Sequence, residues 1–337
     1  MIRKFLTLTP LTPYFFGGEH TFSVDDLRSE EKARFFAKSF KLPQQTTILG
    51  MLRKEILRAK GKLTTHKRGE WVDLPKRNPN QDNPEFIEVV KLVGDKPFDF
   101  DAQEELDFGI IKSISNVFLV RDRKIYYRAP ADLKLNPRKI EGVELFLGNF
   151  KKDFIDFGID PKKYSFGGFI HKSDFVSEDD IFEEVWSVGI NKGSKDEGFF
   201  QKIMYRLKNG FSFGLAVELE EEVNLEGVVQ LGGENSLFKL TLEDGFEDFD
   251  FDKKDGFERI VILSDTILPP KALKWCDFIL GESRIIRNIT RTGNRKSSRK
   301  RVLEAGSVIY THNRQKLKEF LDIANLQKIG MNRYKEC

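Results

Sequence analysis

The chain has 337 residues, too many for one small core and enough for two ordinary domains. With 39% hydrophobic and 32% charged residues it is not wholly disordered, and no apolar run reaches the ~18 residues of a membrane span. A net charge of +3 argues against coating nucleic acid on every side and leaves local basic patches free to bind it. Two cysteines, Cys276 and Cys337, make no disulfide framework or zinc pattern, and the start is broken early by Pro10 and Pro13, so a cytoplasmic protein is expected.

Residues Ile2–Thr9 alternate apolar and polar side chains until Pro10, which predicts a strand. Pro13-Tyr14-Phe15-Phe16-Gly17-Gly18 reads as a glycine loop. Thr46 and Thr47 open an apolar-periodic stretch from Ile48 to Leu57, a helix with a threonine cap. Gly61–Asp107 is polar and proline-rich and reads as a long surface excursion. Ser115–Val120 and Lys124–Arg128 predict a hairpin about Arg121-Asp122-Arg123. Strand, helix and hairpin are the opening parts of a ferredoxin-like β-α-β-β-α-β unit.

A second half begins between Phe150 and Ser165, which divides the chain at 155/156. Asp179–Glu184 reads as a short acidic helix. Strands are expected at Trp186–Ile190, Phe200–Leu207, Phe211–Leu219 and Val228–Leu231. Glu243–Asp255 is an acidic loop with interleaved Phe. Arg259–Leu263 predicts a strand, Lys271–Ile279 a helix, Ser307–Thr311 a strand and Gln315–Ala324 a helix. Two halves of mixed strands and helices indicate an α+β fold.

The sequence holds no dinucleotide fingerprint, P-loop or nucleophile elbow, and its four histidines form no metal pair, so no cofactor is expected. His20 is the best candidate for acid or base chemistry, with no recognisable partner; a surface-loop histidine is the plain alternative. The clearest basic cluster runs from Arg284 to Arg301 without an acidic residue, and it includes Arg287, Arg291, Arg295, Lys296 and Arg299. Guanidinium forks fit phosphates, although such a run can also be a solvated loop, and its few apolar residues predict disorder in the free protein. Gly232-Gly233 can open backbone N–H groups to an anion or make only a tight turn, and Asn191-Lys192-Gly193-Ser194-Lys195 is a second flexible, basic loop. Phe15, Phe16, Phe199 and Phe200 could stack on bases, but core packing suits a chain with 31 Phe better.

Six segments in one order resemble the Cmr family of CRISPR RAMP proteins, specifically its third subunit. They are Leu11–Phe22, Gln45–Arg53, Tyr126–Leu133, Gly189–Phe200 with its Glu197-Gly198-Phe199-Phe200, Leu231-Gly232-Gly233-Glu234, and Ala305–Tyr310. The family's basic pair in the first loop is replaced by Gly17, Gly18, Glu19 and His20, and Asn235 stands where it often has Arg. The resemblance implies two ferredoxin-like domains and a non-catalytic subunit that holds the 5′ tag of a CRISPR RNA. It implies contacts with a large Cas-ten-type subunit and with backbone RAMP subunits. The alternatives are a RAMP endoribonuclease using His20 and the equivalent subunit of a type III-A (Csm) complex. The candidate RNA-binding set is Gly17, Gly18, His20, Thr46, Thr47, Arg53, Lys192, Lys195, Gly232, Gly233, Asn235, Arg284, Arg287, Arg291, Arg295 and Arg299.

Overall fold

The computed structural model describes residues 1–23, 34–63, 84–133, 167–191, 198–253, 258–287 and 298–337. The expected division at 155/156, Lys192, Lys195, Arg291 and Arg295 lie outside them, as does most of the proline-rich centre of the 61–107 excursion. Among the described residues the fold is α+β and strand-rich: a nine-stranded sheet, two four-stranded sheets and a two-stranded ribbon. No helix among them is long and apolar enough to cross a membrane.

The central sheet joins distant parts of the chain. Its members are β1 (Ile2–Pro10), β4 (Ile111–Ile114), β5 (Phe118–Arg121), β6 (Lys124–Arg128), β7 (Phe169–His171), β8 (Asp174–Val176), β11 (Ser212–Leu219), β12 (Gly227–Gln230) and β13 (Leu237–Glu243). Their order is β12-β13-β1-β11-β5-β6-β7-β8, with β4 also on β11. The inner four, β13-β1-β11-β5, are antiparallel throughout. Taken in chain order they place the fourth strand beside the first, then the third, then the second, which is the order of a β-α-β-β-α-β unit. Helix α1 (Gln45–Ala59) follows the first strand, whereas β12 stands where the second helix would be.

Both faces of this sheet are buried. Leu6 and Leu8 of β1 pack with Ile48, Leu49, Leu52 and Ile56 of α1, the apolar stripe that the helical period supplies. On the opposite face Phe118 and Val120 meet Val261, Val308 and Tyr310 of a second layer. That layer is the sheet β15-β18-β14-β19, built from β14 (Glu258–Ile262), β15 (Cys276–Leu280), β18 (Val308–Thr311) and β19 (Tyr334–Glu336). Its outer face, Ile260, Ile262 and Ile309, is covered by Leu317 and Leu321 of α4 (Arg314–Leu321). The other four-stranded sheet, β2-β3-β10-β9, combines β2 (Phe16–Ser23), β3 (Arg34–Phe40), β9 (Phe182–Asn191) and β10 (Gly198–Leu207).

Several expectations are corrected. Gly17, Gly18 and His20 lie in strand β2, and the ladder skips between Phe16 and Glu19, so the two glycines form a bulge rather than a free loop. The α1 cap is Gln44 without a side-chain bond, and Thr46 and Thr47 fall inside the first turn. The buried Gln45 amide, which donates to the carbonyls of Ser115 and Ile329 (both 2.7 Å), sets that start. The 61–107 excursion contains α2 (Pro84–Val93), opened by a proline at its first position and closed by Gly94 at φ 73°. Residues 270–280 are a short 3₁₀ turn, Pro270–Trp275, followed by β15, because the Pro269-Pro270 pair holds the backbone extended. The acidic helix is a single turn, α3 (Glu178–Ile181), capped by Ser177. The hairpin at β5–β6 is present, and its two-residue turn has Asp122 and Arg123 at φ 52° and 63°, which suits the strand twist.

One buried ion pair joins the central sheet to the sheet packed on it. Asp132, fully buried just after β6, accepts Arg259 Nη2 at 2.6 Å and Nε at 2.7 Å, and the Tyr310 hydroxyl at 2.5 Å. The bidentate fork satisfies both carboxylate oxygens. Removing one partner leaves a buried, unpaired charge, so Asp132→Asn is expected to destabilise the protein by about 3–5 kcal/mol. Asp132→Leu combined with Arg259→Met recovers most of that loss, because no charge is then stranded. Denaturant unfolding of the single and double variants measures both effects.

Candidate nucleic-acid interface

The Gly232-Gly233 turn is built against the segment that follows β1. Gly233 N donates to Phe15 O at 2.8 Å and Phe15 N donates to Ser236 Oγ at 3.0 Å. Gly232 has φ 87°, and a Cβ there would meet Phe15 O at 2.6 Å and the Phe16 ring at 2.8 Å. Glycine is therefore required by conformation and by close approach. Glu234 and Asn235 also have positive φ, at 57° and 55°. Asn235 accepts from Gln230 at 2.8 Å, Gln230 in turn accepts from Lys54 of α1 at 3.4 Å, and Glu234 pairs with Lys202 at 2.7 Å. Gly17 adjoins this turn through Phe15 and Phe16, and nothing occupies the space beside it. The two glycine motifs thus come together. Phe15 and Phe16 are buried and belong to the packing.

The other candidates are distributed. Arg53 stacks its guanidinium over Phe108 (5.2 Å) and donates to Lys96 O at 3.0 Å, so it is held within the fold. Thr46 and Thr47 sit half-buried in the first turn of α1. Gly50 is exposed in the middle of that helix, and a Cβ there would meet nothing. The ends of the basic run are folded, against the expectation of a disordered segment: Ser283–Ile286 (β16) pairs with Lys300–Leu303 (β17) as the ribbon. Ile286 and Val302 enter the main core, while Ser298 and Lys300 bind Asp101. Arg287 and Arg299 are exposed at the ribbon's far end.

Arg284 lines a cleft of about 230 Å³ with Lys38, Lys41, Arg128, Glu178, Tyr205, Asp265 and Glu304. Its guanidinium lies 4.1 Å over the Phe40 ring and pairs with Asp265 at 2.6 Å. Burial opposes its charge, and Asp265 and then Glu304 outweigh that and raise its pKa. Lys41 and Arg128 share one carboxylate, Glu178, with Arg128 at 3.0 Å. Lys38 pairs with Glu184 at 2.9 Å, which raises the lysine and lowers the carboxyl. The Glu304 pKa is raised, by burial first, against the pull of Arg284 and Arg128.

Apart from Arg284, these residues were not singled out from the sequence. The signal lay in two segments noted only for their resemblance. Arg128-Ala129-Pro130-Ala131 packs on Ala305-Gly306-Ser307, with Ala131 N donating to Gly306 O at 2.8 Å.

A family model described as CRISPR-associated protein (Cas_Cmr3) matches residues 6–158 and 160–277. No curated protein matches. Among solved structures, a chain in the cryo-EM structure of the type III-B Cmr-beta complex bound to cognate target RNA is similar at 14% identity and TM-score 0.47. That match covers 98% of this chain and 96% of that one. A chain of the Csm3–Csm4 subcomplex of the type III-A interference complex is similar at 14% identity and TM-score 0.39, covering 92% and 97%. A chain of the Csm1–Csm4 cassette in complex with pppApA is similar at 12% identity and TM-score 0.34, covering 92% and 87%.

The glycines separate by thermal denaturation. Gly232→Ala is expected to destabilise by about 1–3 kcal/mol through strain at positive φ. Gly50→Ala, in open space on a helix, is expected to stabilise by about 0.5–1 kcal/mol.

Glu304 gives a pH signature. Its folded pKa lies above the unfolded value of about 4.3, so the stability it contributes is present below that value and is lost as pH rises through the folded pKa. Glu304→Gln should therefore gain stability relative to the parent across that rise and level off above it. Urea titrations from pH 4 to 8, roughly spanning that window, test the sign.

Proposed function

This chain belongs to the Cas_Cmr3 family of CRISPR-associated proteins, and we propose that, as a Cmr RAMP subunit, it serves as a non-catalytic binder of the guide RNA. The observation that carries the reading is the family match through 6–158 and 160–277, which includes the Gly232-Gly233 turn seated on Phe15–Phe16. The Gly233 amide is spent on Phe15 O and seats the turn, while the exposed Arg287 and Arg299 supply an electrostatic arm suited to the phosphates of single-stranded RNA.

In its finer form the proposal is that the bound segment is the repeat-derived 5′ tag, and that the subunit bridges a large Cas-ten-type subunit to the backbone RAMP subunits. It includes two ferredoxin-like domains, divided at 155/156, and a place in the cytoplasm. The order β13-β1-β11-β5 supports one ferredoxin-like unit, which takes β1 and β5 from before the division and β11 and β13 from after it.

The test is a salt titration of tag and scrambled RNA against the full-length protein. Reversing Arg291, Arg295 and Arg299 to Glu should weaken both RNAs alike and flatten the log–log salt slope by about 0.7 per lost phosphate contact. Preference for the tag should persist, because phosphate contacts position RNA without reading bases. Unchanged affinity and slope would remove the basic arm from the reading. Defined cleavage of repeat RNA, lost in His20→Ala, would replace binding by the endoribonuclease alternative.

A further inference from the structure

The outer strands of the three larger sheets end their ladders in different ways. Among the described residues β12 and β8 close the central sheet, β15 and β19 the sheet packed on it, and β2 and β9 the third. An outer strand offers a row of unpaired backbone N–H and C=O groups, and proteins blunt it with brevity, bulges or charge. β8 and β19 have three residues each and β12 has four. β15 has five, and its register shifts between Cys276 and Phe278, around the exposed Asp277. β2 carries the shift at Gly17-Gly18. β9 is neither short nor bulged: it runs for ten residues, Phe182–Asn191, in unbroken register with β10, without proline, lysine or arginine.

The side chains of β9 fit an edge meant for pairing. Trp186 is 59% and Val188 64% exposed, and being two residues apart they share one face of the strand. Ser187 between them is exposed as well. The charges of β9, Glu183 and Glu184, stand at its beginning, and Lys38 of β3 holds Glu184. The strand therefore carries two carboxylates and no cation. Phosphates would meet only negative charge along it, so nucleic acid does not suit this edge. A second copy of this chain suits it poorly too, because a paired β9 would bring no cation to either pair of glutamates. A strand from a different protein meets each demand: it pairs with roughly 33 Å of backbone, lays apolar side chains beside Trp186 and Val188, and places a lysine or arginine beside Glu183.

We infer that β9 is a docking edge on which another subunit of the complex lays an extended segment, apolar along its middle and basic at the end beside Glu183, as a fifth strand of the sheet β2-β3-β10-β9. Strand addition of this kind takes its affinity from main-chain hydrogen bonds and its specificity from alternate side chains. Here Trp186 and Val188 are the side chains that select the partner. The inference rests on the reading of the chain as a subunit of a Cmr complex, and it adds the surface and the chemical form of one contact.

The test measures hydrogen exchange on the full-length protein alone, with guide RNA, and in the complex assembled from co-expressed subunits and guide RNA. Assembly should slow alternate amides of Val185–Gly189 by about tenfold or more, as new ladder bonds form, and guide RNA alone should leave them unchanged. Trp186→Lys combined with Val188→Lys should weaken co-purification of the partner subunit by about tenfold, the loss of one anchoring contact. Thermal denaturation checks that the double variant folds, and its affinity for RNA should equal that of the parent. Unchanged exchange in the complex, or full co-purification of the folded double variant, overturns the inference and leaves membership of the complex standing. Protection by RNA alone makes the edge an RNA site, and protection in the isolated protein together with a doubled mass makes it a contact between copies; either result also overturns the inference. A parent chain that enters no complex defeats the subunit reading itself.

Discussion

The Asp132–Arg259 fork is the constraint on which the rest of the molecule leans. It connects the end of β6, in the central sheet, to β14, in the sheet packed behind it. Asp132 immediately follows the Arg128–Ala131 segment that walls the cleft, and Tyr310, its third partner, lies in the strand that follows the Ala305-Gly306-Ser307 turn. Together with the hydrogen bond from Ala131 N to Gly306 O, the pair fixes the spacing of the two loops. A buried pair of this kind adds little net stability compared with a well-packed apolar substitute. What it contributes here is direction: the fork accepts one geometry, and the cleft inherits it.

The cleft's charges obey the same logic on a smaller scale. Each cation that lines the cleft is already held by a carboxylate, Glu184, Glu178 or Asp265. Side chains held in this way lose little freedom when an anion arrives, so less of the binding free energy goes into ordering them. The glycine turn at 232–233 is likewise fixed in place, its conformation set by Phe15, Phe16 and Ser236.

Much of this was legible in the sequence, for local reasons. Alternation marked β1, and the apolar stripe marked α1. The hairpin at Asp122-Arg123 also followed from residue type. What could not be read was set by distant partners. Gln45 moved the start of α1 because Ser115 and Ile329 offered it carbonyls. Arg284 looked like part of a solvated basic run, and Asp265 and Phe40 turned it into a wall of the cleft. Leu237–Glu243 is a plain alternating strand that the reading passed over, and Pro84 was weighed as a loop residue when it opened a helix. Glu304 and Ser307 carried no motif of their own; they acquire meaning only where Arg128 meets them.

The pairing of β1 has a consequence in time. Phe5 lies between Ala216 on one side and Glu243 on the other, so β1 acquires these neighbours only after more than two hundred further residues have been made. At synthesis rates of about 5–20 residues per second, that wait is on the order of 10–50 seconds. Contacts this distant also close slowly in refolding, because loop entropy is lost before they form. During the wait Leu6 and Leu8 form an apolar row at a bare strand edge, with α1 the nearest element able to cover it. Until β11 and β13 arrive, β1 is an unpaired strand through which the nascent chain is open to aggregation.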